Sequence, residues 1–214
     1  MIVDHLVVGP LQVNCYILGC EETGEAIVVD PGDQPEAILA VLARSHLRLV
    51  KIVNTHAHFD HLLGVRALQE ATGAPFLLHS EDRPVLEAAR THALAWLGVD
   101  PGPPPRVDEW LRLEEPLCFG RETLEIRWTP GHSPGSVSLV DHAGRRVFSG
   151  DALFAGSIGR TDLPGGDLDT LLRSIREQLL SLPDDYAVLP GHGPTTTIGQ
   201  ERRHNPFLQP EVPI

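Results

Sequence analysis

The sequence predicts an α/β protein in which two β-sheets pack together and helices cover their outer faces. Short apolar segments rich in β-branched residues recur along the 214-residue chain, and single segments of helical periodicity separate groups of them. Strand groups that alternate with isolated helices favour this layered arrangement. At this length we expect one domain over residues 1–214.

The predicted strands are short, apolar and bounded by turn residues, at 13–18, 26–29, 49–53, 76–79, 124–128, 136–140, 146–148 and 187–189. The predicted helices carry apolar residues on one face, at 35–45, 62–72, 84–96 and 168–181. Residues 98–105 are too rich in proline and glycine for a helix or a central strand. We interpret residues 80–115 as a surface excursion that either borders the substrate entrance or is only a connector.

The composition limits the classes of partner. A formal net charge of −12 argues against a grip on nucleic acid or on an anionic membrane. No apolar run approaches the ~20 residues of a membrane span, and the N-terminus lacks the pattern of a signal peptide. Cys15, Cys20 and Cys118 are an odd number, so we predict free, buried thiols in a reducing cytoplasm. The expected partner is a small-molecule substrate, and the oligomeric state stays open.

The segment Thr-His-Ala-His-Phe-Asp-His at 55–61 carries the strongest functional signal. It directly follows an apolar strand, and alternate side chains of an extended chain point the same way, so His56, His58 and Asp60 can converge. His61 stands where the next helix starts. Core packing does not explain so dense a cluster of metal-capable side chains, and the segment therefore predicts a metal site.

Three later strands end in glycine-containing turns that each offer one more metal-capable side chain. Thr-Pro-Gly-His ends at His132, Ser-Gly-Asp ends at Asp151, and Leu-Pro-Gly-His-Gly contains His192. Glycine lets the backbone turn tightly and approach a metal closely. Each turn alone is a weak signal, but together with the first cluster they predict enough ligands for two metals.

In this order the motifs resemble the metallo-β-lactamase superfamily, from Asp30 to His192. The resemblance implies a four-layer αββα sandwich with two mixed β-sheets. It also implies two divalent transition metals, with zinc expected first and iron or manganese as alternatives. The implied ligands are His56, His58 and His132 for the first metal, Asp60, His61 and His192 for the second, and Asp151 for both. Asp60 and Asp151 are the expected catalytic carboxylates, whereas Asp30 would support the site or is only an acidic turn residue.

Departures from related families narrow the expected activity. Asp151 stands where many metallo-β-lactamases have cysteine, which argues against antibiotic hydrolysis, and His58 replaces the glutamate of flavodiiron proteins. Residues 152–157 lack the tyrosine that quorum-signal lactonases place there. Gly-Arg-Thr-Asp at 159–162 and Pro-Gly-His-Gly-Pro at 190–194 are similar to the glyoxalase II group. That resemblance implies hydrolysis of glutathione thioesters of 2-hydroxy acids by a hydroxide held between two metals.

Two alternatives remain open at this point. Persulfide dioxygenases share the Gly-Arg-Thr-Asp stretch but bind one iron, through the equivalents of His56, His132 and Asp151. Persulfide dioxygenases tend to have Asp-Tyr after the last histidine. The Gly-Pro that follows His192 in this chain therefore favours the hydrolase. A hydrolase of another small ester or thioester is the other alternative.

The thiol carrier is also open, because typical glyoxalase II enzymes continue after the last histidine into a helical domain that binds glutathione. Only a short stretch follows His192. Within it, Arg202, Arg203 and His204 either anchor a substrate carboxylate or form the solvated face of a short helix.

Overall fold

The computed structural model describes residues 1–209, and its first sheet is formed by the first 110 residues. Its six strands are β1 Ile2–Val8, β2 Val13–Gly19, β3 Glu25–Val29, β4 Arg48–Val53, β5 Phe76–Leu78 and β6 Glu109–Trp110. They lie in that order across the sheet. The first three strands pair antiparallel, and β3 to β6 pair parallel, so the sheet is mixed.

The second sheet is also mixed and six-stranded, with the spatial order β14-β13-β10-β9-β8-β7. Its strands are β7 Leu117–Phe119, β8 Glu122–Trp128, β9 Val137–Asp141, β10 Arg146–Gly150, β13 Ala187–Pro190 and β14 Thr196–Thr197. Only β10 and β13 pair parallel among these described strands. A separate two-stranded hairpin, β11 Leu153–Phe154 and β12 Ser157–Ile158, follows β10.

Helices cover the outer faces of both sheets, which confirms the predicted architecture. The five α-helices are α1 Pro35–Arg44, α2 Val65–Thr72, α3 Arg83–Leu97, α4 Leu168–Ser174 and α5 Ile198–His204 in the described chain. Short 3-10 turns at Phe59–His61 and Ser80–Asp82 precede α2 and α3, and α4 continues as a π-helical turn at Ile175–Leu179. Within residues 1–209, no helix combines the length and apolar character that crossing a membrane requires.

Three apolar clusters separate the four layers. The first packs α1, α2 and α3 on the first sheet, the second lies between the sheets, and the third packs α4 and α5 on the second sheet. Strand β2 shows how one strand serves two layers: Cys15 and Ile17 face the helices, while Tyr16 and Leu18 face the other sheet. Strands buried on both faces read as continuous apolar runs, which is why the sequence predicts the central ones.

The sequence pattern does not predict β1 or the shortest strands. Strand β1 lies at the sheet edge and contains Asp4 and His5, so its apolar alternation is interrupted. Strands of two residues, such as β6 and β14, are held by their neighbours and carry too little pattern of their own. The predicted helix at 168–181 is correct in place, but its second half is the π-helical turn.

The prediction of three buried thiols is wrong for Cys118. Cys15 and Cys20 are buried, whereas Cys118 is exposed, and all three are free. On β7, Leu117 and Phe119 face the core, so the side chain between them points to solvent.

The layer between the sheets generates a stability prediction. Phe148 is 1% exposed and packs edge-on against Tyr16, with ring centroids 5.1 Å apart. We expect Phe148→Ala to lower the free energy of unfolding by ~3–5 kcal/mol, because it leaves a cavity in a close-packed layer. Phe207→Ala is the matched control, since that ring is 50% exposed and should cost less than ~0.5 kcal/mol. Urea unfolding measures both, and similar small losses would contradict this packing account.

Candidate metal centre

All seven side chains that the sequence singled out meet at the ends of four strands. His56, His58, Asp60 and His61 follow β4, His132 follows β8, Asp151 follows β10 and His192 follows β13. Six of them form two groups of potential metal ligands, one of three histidines and one of two histidines with an aspartate, and a third such group joins Asp30 to His56 and His61. The first motif therefore supplies both groups, and the later motifs complete them.

The first group consists of His56, His58 and His132. Nδ1 of His58 lies 2.8 Å from Nε2 of His132, which in turn lies 3.2 Å from Nε2 of His56. Nitrogens bound to one tetrahedral zinc lie about 3.3–3.4 Å apart, given Zn–N bonds of ~2.0–2.1 Å. The three nitrogens thus stand close to the spacing that one ion requires.

The second group consists of Asp60, His61 and His192. Nε2 of His192 lies 3.3 Å from Nε2 of His61 and 3.3 Å from Oδ2 of Asp60. Nε2 of His61 lies 3.7 Å from the same carboxylate oxygen. These separations also suit ligand atoms that surround a single divalent ion.

Asp151 lies between the two groups. Its Oδ1 is 3.6 Å from Nε2 of His61, and its Oδ2 is 3.6 Å from Nε2 of both His132 and His192. Oδ1 is buried and has no hydrogen-bond partner within residues 1–209. A buried carboxylate oxygen left without a donor is costly, and a metal ligand is one way to satisfy it. The candidate ligand atoms are all nitrogen or oxygen. These atoms and the unpartnered Oδ1 of Asp151 fit divalent transition metals.

Outer hydrogen bonds fix which ring nitrogen faces the site. Nδ1 of His132 donates to the carbonyl of Arg160 at 2.8 Å, which leaves Nε2 free to bind. The hydroxyl of Thr55 donates to Asp30 and lies 3.0 Å from Nδ1 of His56, so that nitrogen donates to it. In the neutral form of both rings, the proton therefore lies on Nδ1 and the lone pair lies on Nε2.

Asp30 lies behind the two groups, and not between them. Its oxygens accept from the amide and the hydroxyl of Thr55, both at 2.7 Å, and Oδ2 lies 3.1 Å from Nδ1 of His61. Its backbone has a φ of 51°, an unusual conformation for a non-glycine residue. Asp30 therefore contacts His61 directly and reaches His56 through the hydroxyl of Thr55.

Burial and neighbouring charges shift the pKa values of His58 and His61 in opposite directions. Burial and the neighbouring His132 lower the pKa of His58 to about 3, so this ring stays neutral. Burial also disfavours a charged His61, but the carboxylates of Asp151, Asp60 and Asp30 outweigh it and raise its pKa to about 10. Without a metal, the acidic side of the centre therefore holds a proton, which a bound cation displaces.

Two glycines make room for Asp151. A Cβ on Gly191 would lie 2.2 Å from Oδ1 of Asp151, and one on Gly159 would lie 1.9 Å from the carbonyl oxygen of Asp151. Both distances are far below contact distance, so another residue at 191 would displace the carboxylate of Asp151 and one at 159 would displace its backbone. Neither glycine has a positive φ, so close approach is what requires these two glycines.

The loop that carries His192 is anchored by the N-terminal hairpin, which sequence analysis did not single out. Nδ2 of Asn14 donates to the carbonyls of Pro190 and Gly193, both at 2.9 Å, and the hydroxyl of Tyr16 donates to Pro190 at 2.8 Å. The one available signal was a polar asparagine inside an apolar strand. Its partners lie more than 170 residues away, so the sequence could not identify them.

A cavity of about 490 Å³ opens onto the centre. Besides the donor side chains, its walls are largely apolar and include Leu11, Phe59, Trp96, Phe154, Ile158 and Leu163. His92 and Trp96 come from α3, so the helical part of the excursion borders the cavity, as one interpretation proposed. Residues 101–105 line a different surface, beside Arg66, and are a connector.

The basic residues near the C-terminus lie outside the lining of this cavity. They belong to α5, which confirms the short-helix interpretation. Arg202 and Arg203 both pair with Asp184, and Arg202 also donates to the carbonyls of Leu180 and Leu182. Their charges are therefore engaged in holding the helix, and Arg160 is the guanidinium at the cavity.

Comparisons with known proteins agree on the family. The sequence model of the Metallo-beta-lactamase superfamily matches residues 8–192. A hydroxyacylglutathione hydrolase, GloC, from Haemophilus influenzae is 37% identical over 212 residues, covering 97% of this chain and 98% of its own. The structure described as the BLEG-1 B3 metallo-beta-lactamase is 42% identical with a TM-score of 0.91, covering 98% of this chain and 100% of that one. TTHA1623 in a di-iron-bound form is 45% identical with a TM-score of 0.87, covering 96% and 100%.

The position of Asp151 generates a prediction for metal retention. We expect Asp151→Ala to weaken metal binding by at least the ~10–100-fold that loss of an outer partner costs, because this side chain faces both groups. Asp162→Ala is the control, since that carboxylate is exposed and paired with Arg160. Elemental analysis after dialysis against a chelator measures both variants. Equal metal loss from the two would argue against a role of Asp151 between the groups.

Proposed function

The chain belongs to the metallo-beta-lactamase superfamily, and we propose that it is a binuclear hydrolase of the glyoxalase II type that cleaves small thioesters. One observation carries the proposal: Asp151 directs one oxygen to His61 and the other to His132 and His192. A carboxylate in that position suits two neighbouring ions better than one. The fit of a related hydroxyacylglutathione hydrolase over nearly the whole chain supports the substrate class.

In this proposal the seven side chains hold two divalent metals in the arrangement that the sequence predicts. His56, His58 and His132 would hold the first, Asp60, His61 and His192 would hold the second, and Asp151 would contact both. Bound metals there would supply a hydroxide nucleophile at neutral pH, because a divalent metal lowers the pKa of water to about 7. Zinc is expected first, and the di-iron form of a related structure keeps iron in consideration.

The remaining residues of the cavity bind and orient the substrate. Its apolar walls exclude water from the acyl group. Phe59 and Phe154 lie beside the candidate metal ligands, and Trp96 lies on α3. The leaving group of a thioester is a thiolate whose parent pKa is about 8.5, so it departs without a general acid. The guanidinium of Arg160 pairs with Asp162 and lies over the Trp96 ring at 5.8 Å, and in this proposal it also contacts an anionic part of the substrate.

The class of partner and the cellular compartment stay predictions from the composition. A net charge of −12 favours a small-molecule substrate over nucleic acid, and free thiols favour the cytoplasm.

A side-by-side assay tests the proposal. We expect metal-replete protein to release thiol from S-lactoylglutathione and to consume no oxygen with glutathione persulfide, because a binuclear centre has no open position dedicated to O₂. A chromogenic cephalosporin is the third substrate, since one related structure bears the name of a metallo-beta-lactamase.

The three arms separate the candidate activities. Oxygen uptake stoichiometric with persulfide, alongside no thioester cleavage, would contradict the proposal in favour of the mononuclear-iron dioxygenase. Cephalosporin turnover with no thioester cleavage would contradict the substrate class while keeping the hydrolase. Cleavage of simple esters alone would point to another small ester as the substrate.

A further inference from the structure

A second buried aspartate, Asp82, lies behind the first group of histidines. Its side chain is 0% exposed, and both of its oxygens accept hydrogen bonds from other loops. Oδ2 accepts from the amide of Ala57 at 2.7 Å and from the hydroxyl of Ser133 at 2.9 Å, and Oδ1 accepts from the amide of Gly135 at 2.6 Å. Three short hydrogen bonds satisfy a carboxylate that burial would otherwise penalise.

The partners of Asp82 are chain neighbours of all three histidines in that group. Ala57 stands between His56 and His58, and Ser133 directly follows His132. One carboxylate therefore ties the loop after β4 to the loop after β8. The two loops are separated by more than 70 residues of sequence, and Asp82 joins them in addition to the backbone hydrogen bond from Val137 to Thr55 at 2.9 Å.

The side chain of Asp82 does not cap the helix that follows it. It occupies the N-cap position of α3, where an aspartate normally accepts from the first turn of its own helix, yet it makes no such bond. The carboxylate reaches across to the other loops instead. Gly135 permits this approach, since a Cβ there would lie 2.5 Å from the amide nitrogen of Asp82.

We propose that Asp82 is a positioning residue that sets the spacing of the first metal's three histidines, and thereby the affinity of that metal. The proposal rests on the proposed function, since it takes these histidines to be ligands. The ring nitrogens lie 2.8 and 3.2 Å apart only while the two loops stay together. Loss of an outer partner of this kind weakens metal binding by ~10–100-fold.

Asp82→Asn tests the proposal without changing the size of the side chain. An amide replaces one acceptor oxygen by an NH₂ group, which then faces an amide or hydroxyl donor that the carboxylate had satisfied. Asp141→Asn is the matched control, because Asp141 is 3% exposed and lies away from the candidate metal ligands. Its carboxylate accepts hydrogen bonds from the amide of Gly144 at 2.9 Å and from Nε of Arg146 at 2.7 Å. Both substitutions remove a buried charge and a satisfied acceptor.

The measurement is the zinc affinity of each folded protein, by competition with a chromogenic chelator, together with the visible spectrum of the cobalt-loaded form. We expect two metals in the unsubstituted protein, a loss of ~10–100-fold in the affinity of one of them in Asp82→Asn with an altered cobalt spectrum, and no change in Asp141→Asn. Circular dichroism and thermal unfolding restrict the comparison to folded protein.

An unchanged zinc affinity in Asp82→Asn, or an equal loss in Asp141→Asn, would overturn the inference. If Asp82→Asn does not fold, Ser133→Ala decides, because it removes one of the three hydrogen bonds. A smaller but measurable loss of affinity for one metal is then expected, and none would overturn the inference. An unsubstituted protein that binds no metal would instead contradict the proposed function.

Discussion

The carboxylate of Asp151 is the constraint around which the centre is arranged. It lies 3.6 Å from nitrogens of both groups of histidines. Strand β10 brings it there, parallel β13 brings the His192 loop beside it, and Gly191 and Gly159 are the residues that allow this approach. The sheets pack so that four strand ends meet, and the three apolar clusters hold them in that arrangement.

Around this centre, buried polar residues hold each donor loop from behind. Asp30 holds Thr55 and His61, Asp82 joins the loops of the first group, and Asn14 fixes the turn that carries His192. Buried polar groups are costly unless their hydrogen bonds are made, so a satisfied network also rigidifies its surroundings. Catalytic constellations need this kind of support, since small displacements of donor atoms reduce both metal affinity and rate.

The convergence of the seven candidate ligands could be predicted from the sequence, because its signals are local. The spacing of His56, His58 and Asp60 after a strand has a direct geometric meaning, and each later donor lies at a glycine turn after its own strand. The supporting residues could not be predicted, because Asp82 and Asn14 act through partners far away in the chain. The central strands were predictable from their apolar runs, whereas the polar edge strand β1 was not, and Cys118 depended on which face of a short strand it occupies.

The central claim is that Asp151 stands between two metals. Anomalous diffraction from crystals grown with saturating zinc tests it most directly. The account predicts two peaks ~3.5–4 Å apart, one among His56, His58 and His132 and the other among Asp60, His61 and His192, with Asp151 in contact with both. A single peak beside His56, His132 and Asp151, with no second peak under the same conditions, would contradict it.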